Sequence, residues 1–168
     1  VDEVIGFIES PMEAGRRLLE IDYDTYADGE AELGWVNLSA IVEADVAVDG
    51  DELARELVTR IGQGIIEAKD AAIAHVKVSV SGNGFHSVAN LVDNFNTVEM
   101  GLASHQRLTG RLELVINARV AIDPSCLLDH CEKALEAVAA AHALAVESSN
   151  ARSLRPGRPV PTHRVTAN

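Results

Sequence analysis

A cysteine and a histidine in one predicted helix are the best candidates for metal ligands in this sequence. Cys126 and His130 are four residues apart, so on a helix both side chains can reach the same ion. Two ligands do not complete a closed zinc site, and no second cluster lies nearby in the sequence. Cys131 falls on the apolar stripe of the same helix, which favours a core thiol. The two cysteines point to different faces and should not form a disulfide with each other.

A glycine-rich segment, GNGFH at residues 82–86, has a superficial likeness to a phosphate-binding loop. It lacks the Lys-Ser/Thr pair of a Walker A motif, and the residues after it predict a strand instead of a helix. A hairpin turn is the simpler interpretation. His86 and His105 can lie on one side of the sheet, but two exposed loop histidines are the simpler interpretation. No Gly-x-Ser-x-Gly motif, Cys/His dyad or nicotinamide fingerprint is present, so no active site is predicted for this chain alone.

An acidic segment over residues 20–34 contains both tyrosines and leads into Trp35, the only tryptophan. Its carboxylates are numerous enough to suggest calcium binding, but the ligand spacing of an EF-hand is absent. A solvated acidic connector is therefore the simpler interpretation.

A basic, proline-rich tail ends the chain, and its last 18 residues contain four arginines and no acid. Prolines hold such a segment extended, which lowers the cost of ordering it on a surface. The candidates for binding a phosphate or an acidic partner are Arg155, Arg158, His163 and Arg164. The alternatives are a tail that docks on the chain's own acidic half and a disordered tail.

The composition is that of a globular domain. The chain has 168 residues, 47% hydrophobic and 24% charged, with only 4% aromatic, so the core must be built from Val, Leu, Ile and Ala. The net charge of −12 is uneven, because residues 1–70 hold 18 acidic and 5 basic residues, and residues 71–168 hold 8 and 9. The negative net charge disfavours binding to nucleic acid, because the phosphate backbone is also negative. We find no signal peptide or apolar run long enough to span a membrane, and the cysteine usage favours a reducing cytoplasm.

The apolar periodicity predicts the order strand, helix, strand, strand, strand, helix. Alternating apolar residues predict strands at 36–42, 76–80 and 112–120, and a short apolar run predicts another at 87–92. Residues 98–103 are ambiguous between strand and loop. Asp49 is the predicted N-cap of the first helix, and Asp123-Pro124 begins the second, which is predicted to run to about Glu147. The fold class is therefore α+β, with a mostly antiparallel sheet and two helices on one face, of the ferredoxin-like kind.

The uncovered face of this sheet is predicted to be a contact surface. It carries a mixed set of polar and apolar residues that exposure to water alone does not explain. The set is Trp35, Asn37, Ile41, Val115, Asn117 and Arg119. We take Trp35, Ile41 and Val115 as interface candidates, for a homodimer or for docking of another domain.

Two segments carry a resemblance to a known family. They are IDYDTYA at residues 21–27, followed by Glu30 and LGWVN at 33–37, and RPGRP at 155–159 with PTHR at 161–164. The first resembles the junction in CobW-like proteins of the cobalamin-synthesis type, which are P-loop GTPases with a separate C-terminal domain. The second resembles the end of the same proteins, and Val1 to Val4 resembles the last helix of their GTPase half. The core between the two segments matches mainly in pattern.

The resemblance implies three regions: the end of a GTPase domain and a short helical, acidic connector (1–34), an α+β C-terminal domain (35–147) and an extended basic tail (148–168). The chain begins at Val1 in a predicted helix, so we expect sequence before it. The whole protein would be a GTPase metallochaperone using GTP, Mg and a transition metal such as Zn or Co. This chain would contact its own GTPase domain and a client metalloprotein. It would carry no catalytic residue, because the family's nucleotide and cysteine metal motifs belong to the other half. The alternative is a free-standing α+β module that binds a small ligand or dimerises.

Overall fold

One antiparallel sheet and two helices make up the part of the chain that the computed structural model describes, residues 29, 31–68 and 71–157. The strands are β1 (Gly34–Asp49), β2 (Ala72–Gly82), β3 (Phe85–Leu91), β4 (Glu99–Leu102), β5 (Arg107–Ala121) and β6 (Leu144–Leu154). The helices are α1 (Gly50–Glu67) and α2 (Pro124–Ala141). The predictions for residues 1–28 and for Arg158, His163 and Arg164 lie outside the described residues.

The strand order in the sheet is β4-β3-β2-β5-β1-β6, and every neighbouring pair is antiparallel. Helix α1 connects β1 to β2, and β5 lies between those two strands. Helix α2 connects β5 to β6, and β1 lies between that second pair. The predicted α+β class with an antiparallel sheet and two helices is confirmed.

A single aliphatic core lies between the helices and one face of the sheet. Alternate residues of the central strands point into it, and side chains such as Leu38, Val78 and Ile116 are buried almost completely. Helix α1 contributes an apolar stripe that includes Leu53 and Leu57, both without solvent exposure. No aromatic side chain belongs to this core in the described part of the chain.

Both predicted helix N-caps are confirmed. The Asp49 carboxylate accepts hydrogen bonds from the backbone N–H groups of Asp51 and Glu52, at 2.9 and 3.0 Å. Asp123 accepts from the N–H of Ser125 at 2.9 Å, with Pro124 at the first helical position. Each cap satisfies N–H groups that have no partner inside the helix.

The β2–β3 hairpin confirms the turn predicted within residues 82–86. Asn83 has φ of 53° and Gly84 has φ of 81°, and two such residues in succession suit the tight turn between twisted antiparallel strands. The ambiguous segment 98–103 contains the short strand β4, which pairs with β3 at the edge of the sheet.

The predicted end of the second helix at Glu147 is wrong. Helix α2 ends at Ala141, Ala143 adopts a left-handed conformation with φ of 52°, and β6 begins at Leu144. Ala145, which the predicted helix would include, is exposed on this strand. Residues 148–154, expected in the tail, continue β6. Pairing with β1 satisfies the backbone of this segment, and that tertiary gain overrides the helix propensity of its alanines.

Candidate functional site

The sheet face that the helices leave uncovered, here called the open face, carries side chains in cross-strand rows. The register places Leu154, Trp35, Arg119 and His75 side by side in the first row. The second row is Arg152, Asn37, Asn117 and Lys77. We call these two rows the basic end of the open face. All six residues of the predicted contact surface lie on this face, which includes the interface candidates Trp35, Ile41 and Val115.

Most of the polar atoms at the basic end can donate hydrogen bonds. The Arg119 guanidinium lies 4.2 Å from the centroid of the Trp35 ring, a cation–π contact. The amide of Asn37 donates to Asn117 Oδ1 at 2.6 Å, which orients both side chains. The indole Nε1 of Trp35 is buried and has no acceptor among the described residues. A donor-rich surface of this kind suits acceptor groups such as carboxylates or phosphates.

A groove of about 630 Å³ runs over the basic end. Lys77, Arg119 and Arg152 line it together with His75, and the described residues around it include no carboxylate. The groove offers groups that bind and orient, because its cationic and amide side chains donate hydrogen bonds. We therefore interpret it as a contact surface.

The other half of the open face differs in character. The middle row is Asn150, Ser39, Val115 and Ser79, followed by Ser148, Ile41, Glu113 and Ser81. Beyond them Glu43 pairs with Arg111 in the register, and Arg111 Nη1 lies 3.3 Å from Glu147 Oε2. We call Glu43, Arg111, Glu113 and Glu147 the acidic end.

The metal-ligand candidates lie on α2, away from the open face. Cys126 is exposed and Cys131 is buried, which confirms that the two cysteines occupy different faces. Burial raises the pKa of the Cys131 thiol to about 12, so this residue behaves as a core thiol. His130 lines a shallow surface groove beside Gly64 of α1. Within the described residues no three His, Cys, Asp or Glu side chains are placed to hold a metal ion, and ligation by Cys126 and His130 stays a prediction.

A network around Asp51 was missed by the sequence reasoning. Asp51 Oδ1 accepts hydrogen bonds from the Ser87 hydroxyl at 2.6 Å and the Ser104 N–H at 2.8 Å. Its Oδ2 accepts from the His105 N–H at 3.0 Å, and the His105 imidazole Nδ1 is 3.5 Å away. Partial burial opposes ionisation, but these hydrogen bonds outweigh it and lower the pKa of the Asp51 carboxyl. Two features of the sequence could have indicated this network: Asp51 lies in the first turn of the predicted helix, and Ser87 lies in a predicted strand later in the chain.

The Asp51 network has the components of a catalytic triad without its connectivity. A nucleophilic serine must bond to the imidazole that takes its proton. Here both serine hydroxyls lie within hydrogen-bonding distance of the carboxylate instead. The network ties the first turn of α1 to β3 and to the loop before β5, so its role is structural. His86 and His105 are both exposed, as expected, but only His105 lies in a loop, because His86 belongs to β3.

The described parts of the two segments that carry the family resemblance lie next to each other. Leu154 pairs with Trp35 across β6 and β1. Arg155 Nη1 donates to the Glu32 carbonyl oxygen at 2.8 Å, and its Nη2 donates to the Ile122 carbonyl oxygen at 3.2 Å. Arg155 therefore contacts the end of the acidic segment through a backbone carbonyl.

Comparison with family models, curated proteins and solved structures finds no match to this chain. No helix in the described part is long and apolar enough to cross a membrane.

Proposed function

We propose that this chain is the accessory C-terminal domain of a CobW-like GTPase that takes part in metal delivery or metallocofactor assembly of the cobalamin type. The observation that carries the proposal is the proximity of the two resembling segments. The Arg155 guanidinium bonds to Glu32, although 123 positions separate them in the chain. The chain thus enters and leaves the sheet at the same end, next to the place where a preceding GTPase half would be attached.

The ferredoxin-like assignment is part of this proposal. Helix α1 joins β1 to β2, and helix α2 joins β5 to β6. These four strands lie in the sheet in the order β2-β5-β1-β6. That order supports two interlocked split βαβ units, with the β3–β4 hairpin as an insertion that widens the sheet beside β2.

The proposed division of work leaves the chemistry to the other half of the protein. GTP, Mg and a transition metal, Zn or Co, act there, while this domain recognises the client metalloprotein or the metal. The open face supports a recognition role, because it presents hydrogen-bond donors and apolar groups. Cys126 and His130 are the metal candidates of this domain, and a cytoplasmic location belongs to the same proposal.

A free-standing ligand-binding module is the second candidate function. The groove at the basic end favours it, since a volume of about 630 Å³ is within the range of small-molecule sites. In that case the groove would take an anionic ligand and no GTPase half would be required.

Nucleotide binding by the two forms of the protein separates these candidates. We expect calorimetry with GTP and Mg to show no binding to the 168-residue chain, because no described loop combines a phosphate cradle with a lysine. We expect a Gly-x-x-x-x-Gly-Lys-Ser/Thr motif upstream in the gene, and GTP turnover by the whole product. Micromolar GTP binding by this chain alone, or a gene without that motif, would refute the proposed role.

A further inference from the structure

The two ends of the open face have opposite charge. The basic end carries Lys77, Arg119 and Arg152, and the acid that shares a row with it is Glu99 on the edge strand β4, two strands beyond Lys77. The acidic end carries three glutamates and one arginine, Arg111. The centres of the two ends are about three rows apart, roughly 20 Å at the rise of a β-strand, and the nearest opposite charges, in the second row and at Glu113, are two rows or roughly 14 Å apart. Both distances exceed the Debye length of about 10 Å at 0.1 M salt, so salt screens much of the attraction between the two ends of one copy.

We propose that the open face binds the open face of a second copy of this chain. A two-fold axis perpendicular to the strands reverses the strand direction of the second copy. It brings the basic end of each copy against the acidic end of the other, and the same patch serves both copies. A pairing with the strands in the same direction would oppose like charges, so the charge pattern selects the antiparallel arrangement.

The middle of the open face fits such a contact. Its central row contains Ser39 and Ser79, small side chains that let two sheets approach to the usual spacing of about 10 Å. Ile41 and Val115 are half-buried there and supply apolar surface. Five strands over about nine residues cover roughly 600–700 Å² per copy. The resulting total of about 1,200–1,400 Å² is enough for a specific, stable interface.

Other occupants explain less of the face. A polyanion laid along the strands would reach the acidic end, where Glu43 and Glu113 repel it. A short anionic ligand would use the groove at the basic end and leave the apolar middle and the acidic end without a role. The dimer does not depend on the GTPase assignment, since both copies contribute only residues described above.

A charge-swap experiment tests the dimer on the 168-residue chain. Lys77→Glu with Arg152→Glu reverses most of the basic end and leaves the contact between Arg119 and Trp35 intact. Glu43→Lys with Glu113→Lys reverses the acidic end. Sedimentation velocity at about 5–200 μM protein and roughly 50 mM salt, where charge contacts are least screened, should show a wild-type dimer. Each variant alone should dimerise at least about tenfold more weakly. Their equimolar mixture should form a heterodimer, which native mass spectrometry separates by mass.

Two control variants keep the result unambiguous. Glu132→Lys with Glu136→Lys makes the same charge change as the acidic-end variant on the exposed side of α2, and it should dimerise like the wild type. Val115→Asp places a charge in the middle row and should weaken the dimer without replacing a residue of either end. Thermal unfolding verifies that each variant is folded.

Three results would overturn the proposal. One is a wild-type chain that is monomeric at every concentration. Another is a mixture of the two charge variants that stays monomeric although both are folded. The third is loss of association in the basic-end variant only, which is the result expected for an anionic ligand or partner.

Discussion

The Asp51 network provides a quantitative test of what holds the first helix to the sheet. Asp51→Asn keeps the size of the side chain and one acceptor oxygen but removes the negative charge. The Asp51 side chain is only 16% exposed, so solvent screens its hydrogen bonds little. The Ser87 hydroxyl that bonds to it is fully buried and cannot turn to water instead.

The expected loss of stability in Asp51→Asn follows from the hydrogen bonds that Asp51 Oδ1 accepts. A hydrogen bond to a charged group contributes about 1.5–3 kcal/mol, and one between neutral groups contributes about 0.5–1.5 kcal/mol. Asp51→Asn converts the bonds from Ser87 and Ser104 from the first kind to the second. The His105 N–H loses its acceptor, but His105 is exposed, so water replaces much of that bond. We expect the free energy of unfolding to fall by about 2 kcal/mol at pH 7.

The pH dependence follows from the lowered pKa of Asp51 in the folded chain. The ionised form is stabilised by folding, so its contribution is fully present above the unfolded value of about 4. It is lost as the pH falls through the folded pKa. The difference between wild type and Asp51→Asn should therefore be constant between about pH 7 and 5 and should shrink below about pH 4.

Urea unfolding followed by circular dichroism at several pH values measures this difference. The matched control is Asp45→Asn, because Asp45 is exposed, and this variant should change the free energy of unfolding by less than about 0.5 kcal/mol. Equal effects of the two substitutions at pH 7 would contradict the structural role of the network. So would a difference that persists unchanged at low pH.

Three further outcomes are expected. Gly62→Ala should lower the free energy of unfolding by about 1–2 kcal/mol, because the new methyl group meets the side chains of Asn96 and Leu91. This clash outweighs the better helix propensity of alanine. A variant more stable than the wild type would show that these two side chains move aside at little cost. Truncation after Asn150 removes the last four residues of β6 and should cost about 2 kcal/mol. Truncation after Gly157 spares the strand and should cost at most about 1 kcal/mol, with a larger loss at low salt; equal losses from the two truncations would contradict this. All three are measured by urea unfolding.

The regular alternation of the central strands was visible in the sequence. Val76, Val78 and Val80 point inward because successive side chains of a strand alternate between faces. The helix starts were also predictable, since a cap such as Asp123 acts on N–H groups two or three positions away. The end of α2 was not predictable, because the alanine-rich segment 137–145 suits a helix equally well. Pairing with β1, about 100 residues earlier in the chain, ended the helix.

For the candidate site, the sequence determined which residues face away from the core, including Trp35 and Arg119, since that follows from periodicity alone. It could not place Arg152 and Lys77 in one row, because cross-strand register depends on how four distant strands pair. For the same reason only the tertiary structure decided how charge separates into two ends of the face. It also decided the network around Asp51, whose partners Ser87 and Ser104 lie 36 and 53 positions further along the chain. Local sequence fixes the direction of a side chain, whereas its neighbours are set by long-range packing.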